Sequence, residues 1–213
     1  KKILYKNFKN RRYKKVIESG EKILKKNNTI QDIDLLSLLT ACYININDFN
    51  SAKKKFGIIL TNNRNSENLY TYGNILKNLK DFDEAIKIFK EAVKLKINFS
   101  QAHNNLANCY KSVNNHEEAI VSYNNSIKSD KNNHVPYINL ASLYKDNKNY
   151  KEAIKIYNKV LQINNNLNTV YHDIATINSF LGNFEEARKN FKKSIEINPK
   201  YLLSYKNYFV ITK

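Results

Sequence analysis

The chain has 213 residues, 42% of them apolar, with 36 Lys and Arg against 19 Asp and Glu, a formal charge of +17. Its longest apolar runs, such as Phe56-Gly57-Ile58-Ile59-Leu60, fall far short of the ~20 residues a membrane-spanning helix requires, and its two distant cysteines, Cys42 and Cys109, do not make a disulfide scaffold and suit a cytoplasmic or otherwise intracellular compartment. With 4 Gly and 2 Pro, there is little material for hairpins or Gly-dependent phosphate loops, and helices are expected.

The opening Lys1-Lys2-Ile3-Leu4-Tyr5-Lys6 has no sustained apolar core behind it, so no secretory signal is expected. The chain contains no Met and is expected to be a piece of a longer protein. Residues 1–32 hold 11 basic and 3 acidic residues. The run Lys9-Asn10-Arg11-Arg12-Tyr13-Lys14-Lys15, with Tyr5, Phe8 and Tyr13 interleaved, is a candidate for nucleic-acid contact, which would weaken steeply with salt. Two observations weigh against that reading. Lys outnumbers Arg 32 to 4 and Asn occurs 36 times, a compositional bias that supplies lysines without selection for charge, and Tyr13 also falls on a core position of the periodic pattern below.

From about residue 66 the sequence runs on a 34-residue period. Glu84-Ala85, Glu118-Ala119, Glu152-Ala153 and Glu186-Ala187 are spaced by 34 residues. The same ruler aligns Leu69, His103, Tyr137 and Tyr171; Gly73, Ala107, Ala141 and Ala175; and Phe89, Tyr123, Tyr157 and Phe191. Composition bias cannot place so many columns together. Within one period, Tyr137, Leu140, Ala141 and Tyr144 make the apolar stripe of an amphipathic helix, here helix A. After a break at Asp146 to Asn149, the residues Tyr150, Ala153, Ile154, Tyr157, Val160 and Leu161 make a second stripe, helix B. Ala141 and Ala153 are expected where the two helices come closest, a contact that larger side chains would force apart.

The run Tyr137-Ile138-Asn139-Leu140-Ala141-Ser142-Leu143-Tyr144 followed by Tyr150-Lys151-Glu152-Ala153-Ile154 resembles the tetratricopeptide repeat. The resemblance implies an all-α fold, a solenoid of helix-turn-helix units stacked into an α-α superhelix around one continuous core, and a single array over 1–213. The predicted organisation is a partial unit at 1–32, with a partial helix A at 1–9 and a helix B at 13–26, then complete units at 33–65, 66–99, 100–133, 134–167 and 168–201, and a partial unit or capping helix at 202–213. In that last segment Tyr205, Tyr208 and Phe209 keep the pattern of a helix A. The family's Gly at the end of helix A survives as Gly182. Asn47 and Asn114 replace it acceptably, since Asn tolerates positive φ, whereas Lys80 and Lys148 are poorer. The unit at 33–65 is the weakest, with Thr40 where Gly or Ala is expected.

Catalysis needs reactive groups converging in a pocket. His103, His116, His134 and His172 are dispersed, and His103 occupies an aromatic column, as a packed structural histidine would. His116-Glu117-Glu118-Ala119 lacks the second His of a zinc-protease helix, and no Walker-type or dinucleotide glycine pattern occurs. Cys42 and Cys109 read as core thiols of helix A. The pairs Asp83-Glu84, Glu117-Glu118 and Glu185-Glu186 open helix B, where the helix dipole stabilises negative charge by ~0.3–1 kcal/mol. No catalytic residue, metal or cofactor is expected in this chain.

The resemblance instead implies that helix A lines an inner groove that takes extended or helical segments of partners. Three columns face it. The sixth position of each unit gives Thr71, Asn105, Asn139, Asp173 and Asn207; the ninth gives Asn74, Asn108, Ser142 and Thr176; the twelfth gives Lys77, Lys111, Lys145 and Ser179. Asn offers donors and an acceptor together, so Asn74, Asn105, Asn108, Asn139 and Asn207 are candidates to grip a peptide backbone. Lys77, Lys111 and Lys145 would add their fields over an acidic segment. The carboxylate clamp by which some relatives hold chaperone tails needs Lys at the fifth position, where Tyr70, Asn104, Ile138 and His172 stand, so that ligand is not expected. The leading reading is a non-enzymatic scaffold binding extended or acidic peptide segments of a protein partner, without membrane contact. Two alternatives are the substrate-recognition arm of a glycosyltransferase similar to the O-linked N-acetylglucosamine or O-fucose enzymes, and nucleic-acid contact through the basic N-terminal segment.

Overall fold

The structure, a computed structural model, describes residues 2–27 and 32–212. Residues 28–31, within the predicted partial unit 1–32, and residues 1 and 213 lie outside the described residues. Thirteen α-helices, and no strand, are found among the described residues. The chain divides into two compact units, Lys1–Asn115 and His116–Lys213.

The first unit holds α1 (Lys2–Lys9), α2 (Tyr13–Asn27), α3 (Ile33–Asn45), α4 (Phe49–Asn62), α5 (Ser66–Asn78), α6 (Phe82–Leu95) and α7 (Ser100–Ser112). Consecutive helices pack on one another: α1 on α2, α3 on α4 and α5 on α6, with α2 on α3, α4 on α5 and α6 on α7 joining the pairs. A core of Leu4, Val16, Leu24, Leu35, Leu39, Phe56 and Ile59, among others, runs through the first pairs. The second unit holds α8 (His116–Ser129), α9 (His134–Asp146), α10 (Tyr150–Ile163), α11 (Asn168–Phe180), α12 (Phe184–Ile197) and α13 (Leu202–Val210). Here α8 packs on α9, α9 on α10, α10 on α11, α11 on α12 and α12 on α13. Ala175, Ala187 and Phe191 form a core against which Tyr208 and Ile211 pack. Helices also occupy the flanking segments, at Lys2–Lys9, Tyr13–Asn27 and Leu202–Val210.

Small residues sit at the tight contacts. Ala85, Ala119, Ala153 and Ala187 are fully buried, as are Ala107, Ala141 and Ala175. In the column of the last three, Gly73 of α5 lies so close to α6 that a Cβ there would stand 2.6 Å from Phe89 Cε1. Thr40, the misfit of the weak unit, is 2% exposed and donates its hydroxyl to the Leu36 carbonyl at 2.8 Å. Its polar atom is thereby satisfied within its own helix, so Thr40 costs α3 no unpaired group.

The turns from helix A to helix B share one backbone solution. Asn47, Lys80, Asn114, Lys148 and Gly182 all have φ between 59° and 78°. Around them the bonds of a Schellman motif recur: Asp48 N–H to Tyr43 O at 2.9 Å, Asp81 to Leu76 at 3.0 Å, Asn149 to Tyr144 at 2.8 Å and Asn183 to Asn178 at 2.8 Å. A left-handed residue closes the six-to-one bond and satisfies the last carbonyls of helix A. Arg11, which the sequence pattern does not single out, has φ 55° and makes the same turn between α1 and α2, with Arg12 N–H on Asn7 O at 2.9 Å. No helix among the described residues is long and apolar enough to cross a membrane.

Candidate functional site

In the first unit, α5 and α7 pack side by side and bring the groove columns together. Asn105 of α7 sits at the centre. Its Nδ2 donates to Asn74 Oδ1 at 2.7 Å and to Tyr70 Oη at 3.4 Å, while its Oδ1 accepts from Lys77 Nζ at 3.2 Å. All four side chains are half-buried. Tyr70 is fixed in turn by its ring contacts with Phe89 and Phe99, at centroid distances of 6.1 and 5.0 Å. Asn105 therefore has both ends of its amide engaged within the protein. The free capacity lies beside it. Asn74 uses its oxygen on Asn105 and keeps its NH₂ donors, and Lys77 keeps two of its three N–H.

Lys77 is a half-buried cation whose hydrogen-bond partner is a neutral amide. Burial pushes its ammonium below the ordinary lysine range. Asn108 and Lys111 of α7 are half-buried as well, each within its own set of interactions.

The second unit differs at the same columns. Lys145 of α9 pairs with Asp173 Oδ1 of α11 at 2.5 Å, both side chains being about one quarter exposed, at 25% and 23%. Tyr157 of α10, fully buried, donates its hydroxyl to Asp173 Oδ2 at 3.0 Å. Within the lysine column, Lys145 is thus paired with a carboxylate, whereas Lys77 bonds a neutral amide. Asn139 lies half-buried on α9. Asn207 of α13 lines a cleft of about 180 Å³ with Thr176, Ser179, Phe180, Phe191, Val210 and Ile211.

Sequence reasoning missed the geometric rule behind these pairs. The twelfth position of one unit bonds the sixth position of the next, 28 residues on, in both Lys77–Asn105 and Lys145–Asp173. A search for complementary residues at that offset would have found it. The roles of Tyr70 and Tyr157 in holding the cluster, and the cleft beneath Ser179, also escaped the sequence.

The remaining candidates take packing roles. His103 is 8% exposed, its Nε2 bonded with Ile97 O at 2.8 Å. His172, 6% exposed, lies against Phe191 and Tyr201 with Nδ1 2.9 Å from Ser204 Oγ. Cys42 and Cys109 are fully buried, and burial pushes both thiols up to about 11. Asp83-Glu84, Glu117-Glu118 and Glu185-Glu186 each open a helix B. In the basic N-terminal segment, half-buried Tyr13 packs edge-on against Phe8 at 5.6 Å and against the core cluster, and it also lines an open cleft with Arg11, Arg12, Lys14, Lys15 and Ile46.

Comparisons with known proteins agree with this architecture. Tetratricopeptide repeat profiles match residues 134–200, 100–133 and 66–96, together more than half of the chain. Among solved structures, the C-terminal part of a TPR repeat-containing protein from Cytophaga hutchinsonii is similar over 100% of this chain and 88% of its own, with a TM-score of 0.79 and 20% identity. PilF of Pseudomonas aeruginosa is similar over 98% of this chain and 94% of its own, at TM-score 0.73 and 16% identity. YrrB, described as a TPR protein with an unusual peptide-binding site, is similar over 90% and 98%, at TM-score 0.66 and 14% identity. At these identities the likeness is one of fold. No curated protein matches the sequence. The chain belongs to the tetratricopeptide repeat family, whose repeat domains are generally protein-interaction modules.

Proposed function

We infer that this chain is a non-catalytic scaffold that takes an extended, acidic segment of a partner protein on the helix A face of its first unit. Asn74, Lys77, Asn105, Asn108 and Lys111 would form the contact surface there. The observation that carries this reading is Lys77, whose charge is half-buried against a neutral amide and held below its ordinary pKa by desolvation alone among the groups that lower it. A desolvated cation without a counter-charge is unfavourable in the free protein, and a carboxylate from a ligand would relieve that. Lys145 has this relief already from Asp173. Asn139, Lys145 and Asn207 in the second unit then serve extended segments without a preference for acid. The likeness to YrrB supports peptide binding as a use of such a fold.

The test is a titration of the protein with a capped, extended Glu-containing peptide and with its Gln counterpart, read by fluorescence anisotropy. The Glu peptide is expected to bind more tightly. Lys77→Met should weaken it by roughly tenfold, which corresponds to ~1.4 kcal/mol, while Lys145→Met leaves it within about twofold. Equal binding of the Glu and Gln peptides, or equal effects of the two substitutions, would overturn the assignment.

A further inference from the structure

The cleft at the end of the second unit arises where the bonding rule between successive A helices fails. Thr176, Ser179 and Asn207 occupy the ninth, twelfth and sixth positions that Asn74, Lys77 and Asn105 occupy in the first unit. There, Asn105 donates to Asn74 and accepts from Lys77, so that side chains bridge the two helices. At the C-terminal end neither bond exists. Thr176 turns its hydroxyl to the His172 carbonyl of its own helix at 2.9 Å, and Ser179 is too short to reach as a lysine does. Among the described residues neither the Ser179 hydroxyl nor the Asn207 amide has a hydrogen-bond partner. The space that a lysine stem would fill is open, about 180 Å³ in volume.

Its lining is mixed in a way that matches one ligand chemistry. Phe191 is buried at 1% exposure, while Phe180 and Val210 stand 71% and 67% exposed, and Ile211, just after α13, is half-buried against the core of Ala175, Ala187 and Phe191. Cavities of ~150 Å³ lined by apolar side chains accept a group the size of benzene. The unpaired Asn207 amide offers both donors and an acceptor, which suits a peptide N–H and C=O, and Ser179 adds a further hydroxyl. No charged side chain lines the cleft, and Arg188 of α12, beside it, donates an Nη1–H to the Ile211 carbonyl at 3.1 Å.

We propose that this cleft is an anchor site for a single large apolar side chain, Leu, Met or Phe, of an extended partner segment whose backbone is held by Asn207 and Ser179. The proposal rests on the reading that helix A faces take extended segments, and adds a side-chain preference that the first unit does not share. It also assigns Ser179 a role as the residue that keeps the site open.

The probe is N-acetyl-leucine N′-methylamide, which carries one side chain between two peptide groups, compared with its Phe, Ala and Asp analogues by amide chemical-shift titration of the whole chain. The Leu and Phe amides are expected to shift Ser179, Phe180, Asn207, Val210 and Ile211 saturably, with Kd at least tenfold below those of the Ala and Asp amides. Ser179→Lys restores the lysine of the other units and should abolish binding by closing the cleft onto Asn207. Asn207→Ala leaves the cavity open and should weaken binding at least threefold, so the proposal does not depend on one variant folding. No preference for Leu or Phe over Ala, or unchanged binding in Ser179→Lys, would overturn it. Concentration-dependent dimerisation that moves the same residues without any probe would assign the cleft to a second copy instead. If the Glu peptide still binds at Lys77 while the Leu amide does not bind, the cleft assignment fails alone. If the Leu amide binds and the Glu peptide does not, the acidic-segment reading fails and the anchor site stands.

Discussion

Asp173 holds two donors at once, and its removal separates charge from geometry. In Asp173→Ala, Tyr157 loses the acceptor 3.0 Å from its hydroxyl. Its ring is fully buried, and an orphaned buried hydroxyl costs ~1–3 kcal/mol. Lys145 loses its partner at 2.5 Å; with both side chains about a quarter exposed, that loss lies between the ~0–1 kcal/mol of a surface pair and the ~3–5 kcal/mol of a fully buried one, at about 1–2 kcal/mol. The expected destabilisation is therefore about 2–5 kcal/mol. Asp173→Asn keeps one acceptor oxygen for Lys145, as in the Lys77–Asn105 arrangement, and turns an NH₂ towards Tyr157, whose hydroxyl can accept in place of donating, so it should cost only about 1 kcal/mol. Adding Lys145→Met to Asp173→Asn should recover part of that loss by removing the uncompensated cation. Urea unfolding of the full chain, followed by far-UV circular dichroism, measures all three. A loss in Asp173→Ala below about 1 kcal/mol, or one equal to that of Asp173→Asn, refutes the reasoning.

Three further predictions concern stability and reactivity. Lys80→Gly and Lys148→Gly replace residues held at φ +61°; relief of ~1–2 kcal/mol of left-handed strain, less ~0.4–1 kcal/mol for the added freedom of the unfolded chain, leaves a gain of about 0.5–1 kcal/mol each, and a lowered urea midpoint in either variant would contradict it. Cys42 and Cys109, fully buried with thiols near 11, should resist Ellman's reagent in native buffer at about pH 8 and react on addition of urea; rapid native labelling would count against that burial. His172 is held below its ordinary 6.5 chiefly by burial, so the unfolded chain takes up its proton first as pH falls. Its contribution to stability is full above about 6.5, declines as pH drops towards the lowered native value and levels off below it. Urea midpoints compared between about pH 7.5 and about pH 5.5 should show this loss, with His172→Gln reducing it; an equal pH dependence in that variant would show that the loss arises elsewhere.

Much of the fold was legible because it depends on columns. The Glu-Ala ruler located four B helices, α6, α8, α10 and α12, the A-helix stripes located their partners, and Asn47, Lys80, Asn114, Lys148 and Gly182 marked the turn positions before any φ was known. The turn at Arg11 was missed because α1 is too short to display the stripe that marks a helix A end. The candidate site was only half legible, for a physical reason. A column records which residues occupy equivalent places, whereas Lys77–Asn105 and Lys145–Asp173 are diagonal bonds between different columns of neighbouring units. In their own columns Asp173 stands beside Asn139 and Asn207 and Ser179 follows three Lys, and neither column displays the bond to Lys145 or the cleft.

That diagonal bond has a consequence for how such a chain can change. Each fastening joins two adjacent repeats and needs only one residue from each, so a single substitution can turn a cationic fastening into a neutral one, as Asp173 does, or leave it undone, as Ser179 does, while the helices and turns stay as they are. Under the proposed function, ligand preference is then rewritten one interval at a time, much as a row of buttons can be opened singly without unpicking the cloth.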